Sequence, residues 1–144
     1  MSQIAKALYT ARVETTGGRE NGLSRSSDGL LDVRLSTPGT ARIGTNPEQL
    51  FAASWSASLL SAIASAARKR KIALPRAASV EIEIDLSIRE GCYSIGARVK
   101  VKLPSLEPEV VKVLVDEAQQ ICPYARATRG NIDVSIEFVR PAGG

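Results

Sequence analysis

Two stretches of the chain alternate apolar and polar residues with a period of two. Val80, Ile82, Ile84, Leu86 and Ile88 are interleaved with Glu81, Glu83, Asp85 and Ser87. Tyr93, Ile95, Ala97, Val99, Val101 and Leu103 are interleaved with Ser94, Gly96, Arg98, Lys100 and Lys102. Each pattern predicts a strand with one buried and one wet face. Only Arg89-Glu90-Gly91-Cys92 separates them, a link of hairpin length containing glycine. The wet face of the first strand is acidic and that of the second basic, so cross-strand charge pairs favour antiparallel pairing. Further strands are predicted around Lys6–Thr15, Leu30–Ser36 and Ile132–Val139.

Elsewhere the pattern is helical. Thr45-Asn46-Pro47 opens a helix, with Asn46 able to cap and Pro47 suited to the first helical position. The helix runs to Arg68-Lys69-Arg70-Lys71, whose charge complements the C-terminal dipole and is most simply a solvated helix end. Between these ends nearly every residue is apolar or small, which predicts cover on most sides: a sheet on one face and a second subunit on the other. A second helix starts near Pro108, with Val110, Leu114, Ala118 and Ile121 along one face, and ends around Cys122 because Pro123 disfavours helical geometry before it. Strands, a central helix, a long hairpin, a helix and a last strand predict an α+β domain.

Composition narrows this picture. The chain has 144 residues, 44% hydrophobic and 24% charged, and no repeat or linker divides it, so a single domain over 1–144 is expected. Its 19 basic residues are scattered and only 4% of residues are aromatic, which argues against a nucleic-acid surface. Gln49–Ala67 carries no charge, but five serines (54, 56, 58, 61 and 65) make a buried core helix a better reading than a membrane span. Met1–Lys6 lacks a signal-peptide pattern, and with two cysteines the expectation is a cytoplasmic protein without a disulfide framework. The absence of histidine removes the Ser-His-Asp triad, His-ligated metal sites and an imidazole base.

Taken singly, the candidate residues are plain. Cys122 reads first as a small buried hydrophobe at a helix end, and so does Cys92 in the hairpin. Arg19 follows a Thr16-Gly17-Gly18 turn and reads as a surface arginine. Glu48 lies in a first helical turn, where a carboxylate suits the dipole. Ser58 sits mid-helix in Trp55-Ser56-Ala57-Ser58-Leu59 with no activating base, and reads as a packing residue.

Their combination is more specific. Leu8-Tyr9-Thr10 with Thr16-Gly17-Gly18-Arg19, then Ser26-Ser27-Asp28-Gly29 followed by Leu31-Asp32-Val33, then Thr45 to Ala53, and finally Cys122-Pro123-Tyr124-Ala125-Arg126-Ala127-Thr128-Arg129-Gly130-Asn131-Ile132-Asp133-Val134 resemble, in order and spacing, the organic hydroperoxide resistance (Ohr) branch of the OsmC-like thiol peroxidases. The resemblance implies an intertwined homodimer, each subunit a strongly curved antiparallel sheet around central helices. It also implies a cysteine-based peroxidase acting on organic and fatty-acid hydroperoxides, with electrons returned by dihydrolipoyl groups; no cofactor and no nucleic-acid or membrane partner is expected. Cys122 matches the resolving cysteine, Arg19 the arginine that stabilises the thiolate, and Glu48 the carboxylate that holds that arginine. The attacking cysteine is expected after Trp55-Ser56-Ala57, where this chain has Ser58. A serine hydroxyl has no accessible thiolate or sulfenate state, so the resemblance implies a retained pocket without the reaction. Two origins fit: an engineered Cys-to-Ser change, favoured by the intact Arg19, Glu48 and Cys122, or a natural member that binds lipid or hydroperoxide ligands without reducing them.

Overall fold

The computed structural model describes residues Ile4–Arg140 and divides into two compact units, residues 1–47 and 48–144. The first is a three-stranded antiparallel sheet of β1 (Val13–Thr16), β2 (Leu23–Ser26) and β3 (Asp32–Arg34), in that order. A single-turn helix, α1 (Gly18–Asn21), joins β1 to β2. Gly17 and Gly18 have φ of 75° and 70°, and a Cβ on Gly17 would strike the Asn21 carbonyl, so this turn requires glycine. The strand expected over Lys6–Thr15 is reduced to its last residues, because β1 has only the four residues of β2 to pair with. Leu8 and Tyr9, ahead of it, are exposed. The strand expected over Leu30–Ser36 shortens to β3, with Leu30 in the turn before it. Arg42 closes the unit by donating to the carbonyls of Leu35 (3.0 Å) and Gly22 (3.1 Å).

The second unit holds α2 (Pro47–Lys69), the hairpin β4 (Ser79–Arg89) and β5 (Cys92–Lys102), α3 (Pro108–Ile121), α4 (Pro123–Thr128) and β6 (Val134–Phe138). α2 starts at Pro47 and ends within the basic run, as the pattern requires. It is long and apolar enough to cross a bilayer by length and composition, yet it serves as the core helix. Trp55, Leu59, Ile63, Ala66 and Ala67 on it are buried in one cluster with Val99, Val101, Leu114, Val115 and Cys122. The basic end is tied to α3, where Glu117 takes Arg70 at 2.9 Å and Lys69 at 3.5 Å.

The hairpin has the expected register. Arg89 pairs with Cys92 across Glu90-Gly91, whose φ values of 50° and 78° are those of a two-residue type I′ turn. Glu81 stands opposite Lys100 and Glu83 opposite Arg98. Arg98 reaches Glu83 at 2.9 Å and Asp85 at 2.6 Å, and these contacts hold both carboxyls below their usual range.

Four expectations are corrected. The apolar face of the hairpin is buried only near its base, since Leu86, Ile88 and Tyr93 extend past the helices and are exposed. Cys92, expected to be buried, is exposed at that tip. The buried face of α3 keeps Leu114 and Ala118 of the expected row and adds Val111 and Val115, whereas Val110 is half-buried and Ile121 is 50% exposed. β6 runs parallel to β5, which makes the β4-β5-β6 sheet mixed instead of wholly antiparallel. α3 and the one-and-a-half-turn α4 between β5 and β6 supply the crossover that a parallel pair needs.

Candidate active site

Pro123 determines the geometry around Cys122. It ends α3 at Ile121, leaves Cys122 extended (φ −69°, ψ 121°), and then starts α4 as its first residue. The break is hydrogen-bonded on both sides, with the Cys122 N–H donating to Ala118 and its carbonyl accepting from Arg126. The cysteine side chain is thereby held at a corner between two helices, fully buried, and facing α2.

Ser58 meets it there. The Cys122 thiol donates to the Ser58 hydroxyl at 3.7 Å, across 64 residues of sequence, within hydrogen-bonding range for sulfur. Ser58 is half-buried on α2, one residue before the buried Leu59. A mid-helix serine that looked like packing thus stands against the one buried cysteine, at the spacing of a pair that could be joined. An aromatic group lies alongside: the Phe51 ring is 5.7 Å from Trp55 and 6.5 Å from Tyr124. Phe51 and Trp55 share a face of α2 by their four-residue spacing, whereas the approach of Tyr124 follows only from the α3–α4 corner.

The other two candidates lie on α1 and in the first turn of α2. Glu48 is half-buried in the first turn of α2. Ten residues of continuous helix separate it from Ser58, roughly 15 Å along the axis. Arg19 lies on α1, in the first unit. Among the described residues no group of three His, Cys, Asp or Glu could hold a metal ion. Of two such groups in contact, a thiol can be oxidised, whereas a hydroxyl cannot form the second half of a disulfide.

Comparison with known proteins follows the same lines. A model of the OsmC-like protein family matches residues 37–137. The organic hydroperoxide resistance protein of Xanthomonas axonopodis pv. citri is 41% identical over 94% of this chain and 98% of its own length. The crystal structure of the organic hydroperoxide resistance protein OhrB of Bacillus subtilis superposes with a TM-score of 0.85 at 38% identity, covering 92% of this chain and all of that one. That of an organic hydroperoxide resistance protein from Elizabethkingia anophelis, with thiocyanate bound, gives 0.86 at 32% identity over 95% of this chain and 100% of that one.

Proposed function

Because the chain belongs to the OsmC-like family, in its organic hydroperoxide resistance branch, we propose that it carries the site of a thiol peroxidase for organic hydroperoxides and lacks the reaction at position 58. The contact of Cys122 with Ser58 at 3.7 Å is the observation that carries this reading. A cysteine at position 58 would stand against Cys122 as the attacking thiolate. It would displace the alcohol from the hydroperoxide and become a sulfenic acid, and Cys122 would then expel water to form the disulfide. An external dithiol, a dihydrolipoyl group in this reading, would reduce that disulfide by exchange.

Arg19 and Glu48 complete the proposed site. A guanidinium offers a planar fork to a carboxylate and further donors to a thiolate or peroxide. The length of α2 between Glu48 and Ser58 argues for sites shared across a homodimer, with Ser58 and Cys122 from one subunit and Arg19 and Glu48 from its partner. The small residues Ala53, Ser54, Ala57 and Ser61 on the exposed side of α2 support a partner helix there. Such a protein would work in the cytoplasm, where dithiols keep the exchange reducing. The intact companions of Ser58 favour an introduced Cys-to-Ser change, which the gene sequence at codon 58 decides.

The test is turnover by Ser58→Cys with a dithiol reductant. The expected result is rapid reduction of bulky organic hydroperoxides and weaker action on hydrogen peroxide. No turnover from a folded Ser58→Cys protein would overturn the assignment.

A further inference from the structure

Pro123 ends α3 and leaves a carbonyl of that helix without its ordinary donor. Gln119 stands four residues before it, so the N–H that would close the helical bond to the Gln119 carbonyl is the one proline lacks. A guanidinium takes that place: Arg129, ten residues along the chain, donates from its side chain to the Gln119 carbonyl. A cation at a helix C-terminus also meets the negative end of the dipole. The base of the arginine is fixed as well. Arg129 caps α4, with its backbone N–H donating to the Ala125 carbonyl at 3.1 Å, and Gly130 after it takes a left-handed φ of 76° that ends the helix.

The segment that Arg129 bridges has Cys122 at its apex. The Cys122 N–H donates back into α3, to Ala118 at 2.8 Å, and its carbonyl accepts from Arg126 of α4 at 3.1 Å. The Arg129 side chain adds a tie across the corner, from the end of α4 to the last turn of α3. The buried Cys122 thiol meets Ser58 at 3.7 Å, and where it stands follows from the angle between the two helices. We propose that Arg129 is a positioning residue: through the Gln119 carbonyl it fixes the α3–α4 corner and so keeps the Cys122 thiol against position 58. Its consequence for catalysis rests on the peroxidase reading above. Arg129 governs disulfide closure, in which the Cys122 thiol displaces water from the sulfenic acid at position 58. It does not govern the attack on the hydroperoxide, which is made from α2, a helix the corner does not carry.

Two measurements test this. In the unaltered chain, labelling with an aromatic disulfide reagent should show a fast phase from the exposed Cys92 and a slow phase from the buried Cys122. Arg129→Met keeps the length of the stem and removes the donors. It should speed the slow phase about five-fold, the worth of one solvent-facing hydrogen bond. The gain should be insensitive to low urea, as local opening of the corner is, whereas a general loss of stability would make it urea-dependent. Arg129→Lys, which can still donate to the carbonyl, should restore the parent rate. On the Ser58→Cys background, with one equivalent of cumene hydroperoxide, Arg129→Met should leave sulfenic acid formation unchanged and slow closure of the 58–122 disulfide by about the same factor. An unchanged slow phase, a urea-dependent gain, no recovery in Arg129→Lys, or sulfenic acid formation falling together with closure would each overturn the proposal. A folded Ser58→Cys protein that does not react would sink the peroxidase reading instead, and labelling of the unaltered chain would still decide whether Arg129 holds the corner.

Discussion

Replacing Ser58 by cysteine should allow a bond whose thermodynamic effect follows from the fold. The Ser58 hydroxyl oxygen is 3.7 Å from the Cys122 sulfur, and a disulfide needs about 2.0 Å. A closing movement of roughly 1.7 Å is a side-chain adjustment, with Cys122 at a helix corner instead of inside a helix. The bond would close a loop spanning 64 residues. Chain-entropy arithmetic gives about 14 cal/mol/K removed from the unfolded chain, or about 4 kcal/mol at 25 °C, less any strain. For a chain of this length, oxidation should raise Tm by roughly 10 °C. The assay is calorimetry of the Ser58→Cys protein, oxidised and reduced, with peptide mapping of the linkage. A bond through Cys92, or a 58–122 bond that melts below the reduced form, would refute the reasoning.

Three further outcomes follow from the same structure. Leu114→Ala should cost about 3 kcal/mol in urea unfolding, the usual penalty for a buried leucine, whereas Ile121→Ala on the exposed face of α3 should change stability by under about 0.5 kcal/mol. Glu83 and Asp85 are held below their ordinary values of 4.5 and 3.8, chiefly by hydrogen bonds from Arg98. Their contribution is therefore complete above those values and lost as pH falls through the depressed ones. Arg98→Gln should narrow the gap in urea midpoint to the parent as pH drops from 6 toward 3; a gap independent of pH would contradict the clamp. Finally, sedimentation should find a dimer. Pairing a chain with Arg19→Ala and serine at 58 against a partner with Ser58→Cys and Arg19 should give almost no activity; about half the activity of the all-cysteine dimer would contradict shared sites.

Much of this fold was legible in the sequence where local signals were strong. Pro47 and the basic run bracketed α2, and the alternation of 80–88 against 93–103 gave the hairpin, with its charge ladder agreeing on the register. What escaped depended on long-range partners. Period-two alternation indicates which side of a strand is apolar and not how far the core extends beneath it, so Leu86, Ile88 and Cys92 were expected to be covered. The expected α3 row shared Leu114 and Ala118 with the true face, which continues through Val111, Val115 and Cys122 in place of Val110 and Ile121. β2 is only four residues long and α1 a single turn, too short for periodicity to register. At the site, Ser58 offered no local chemical signal at all; its meaning came from resemblance, and its contact with Cys122 from the tertiary fold.

In the proposed function, position 58 is the missing half of a redox pair. The most direct test adds one equivalent of an organic hydroperoxide to the unaltered chain and to Ser58→Cys, and counts free thiols with the linkage mapped. The unaltered chain should retain both its cysteine thiols and leave the hydroperoxide unspent. Ser58→Cys should lose two of its three, joined between positions 58 and 122, with one hydroperoxide consumed per bond. Stoichiometric consumption by the unaltered chain, with loss of the Cys122 thiol, would contradict the claim that Ser58 abolishes the reaction.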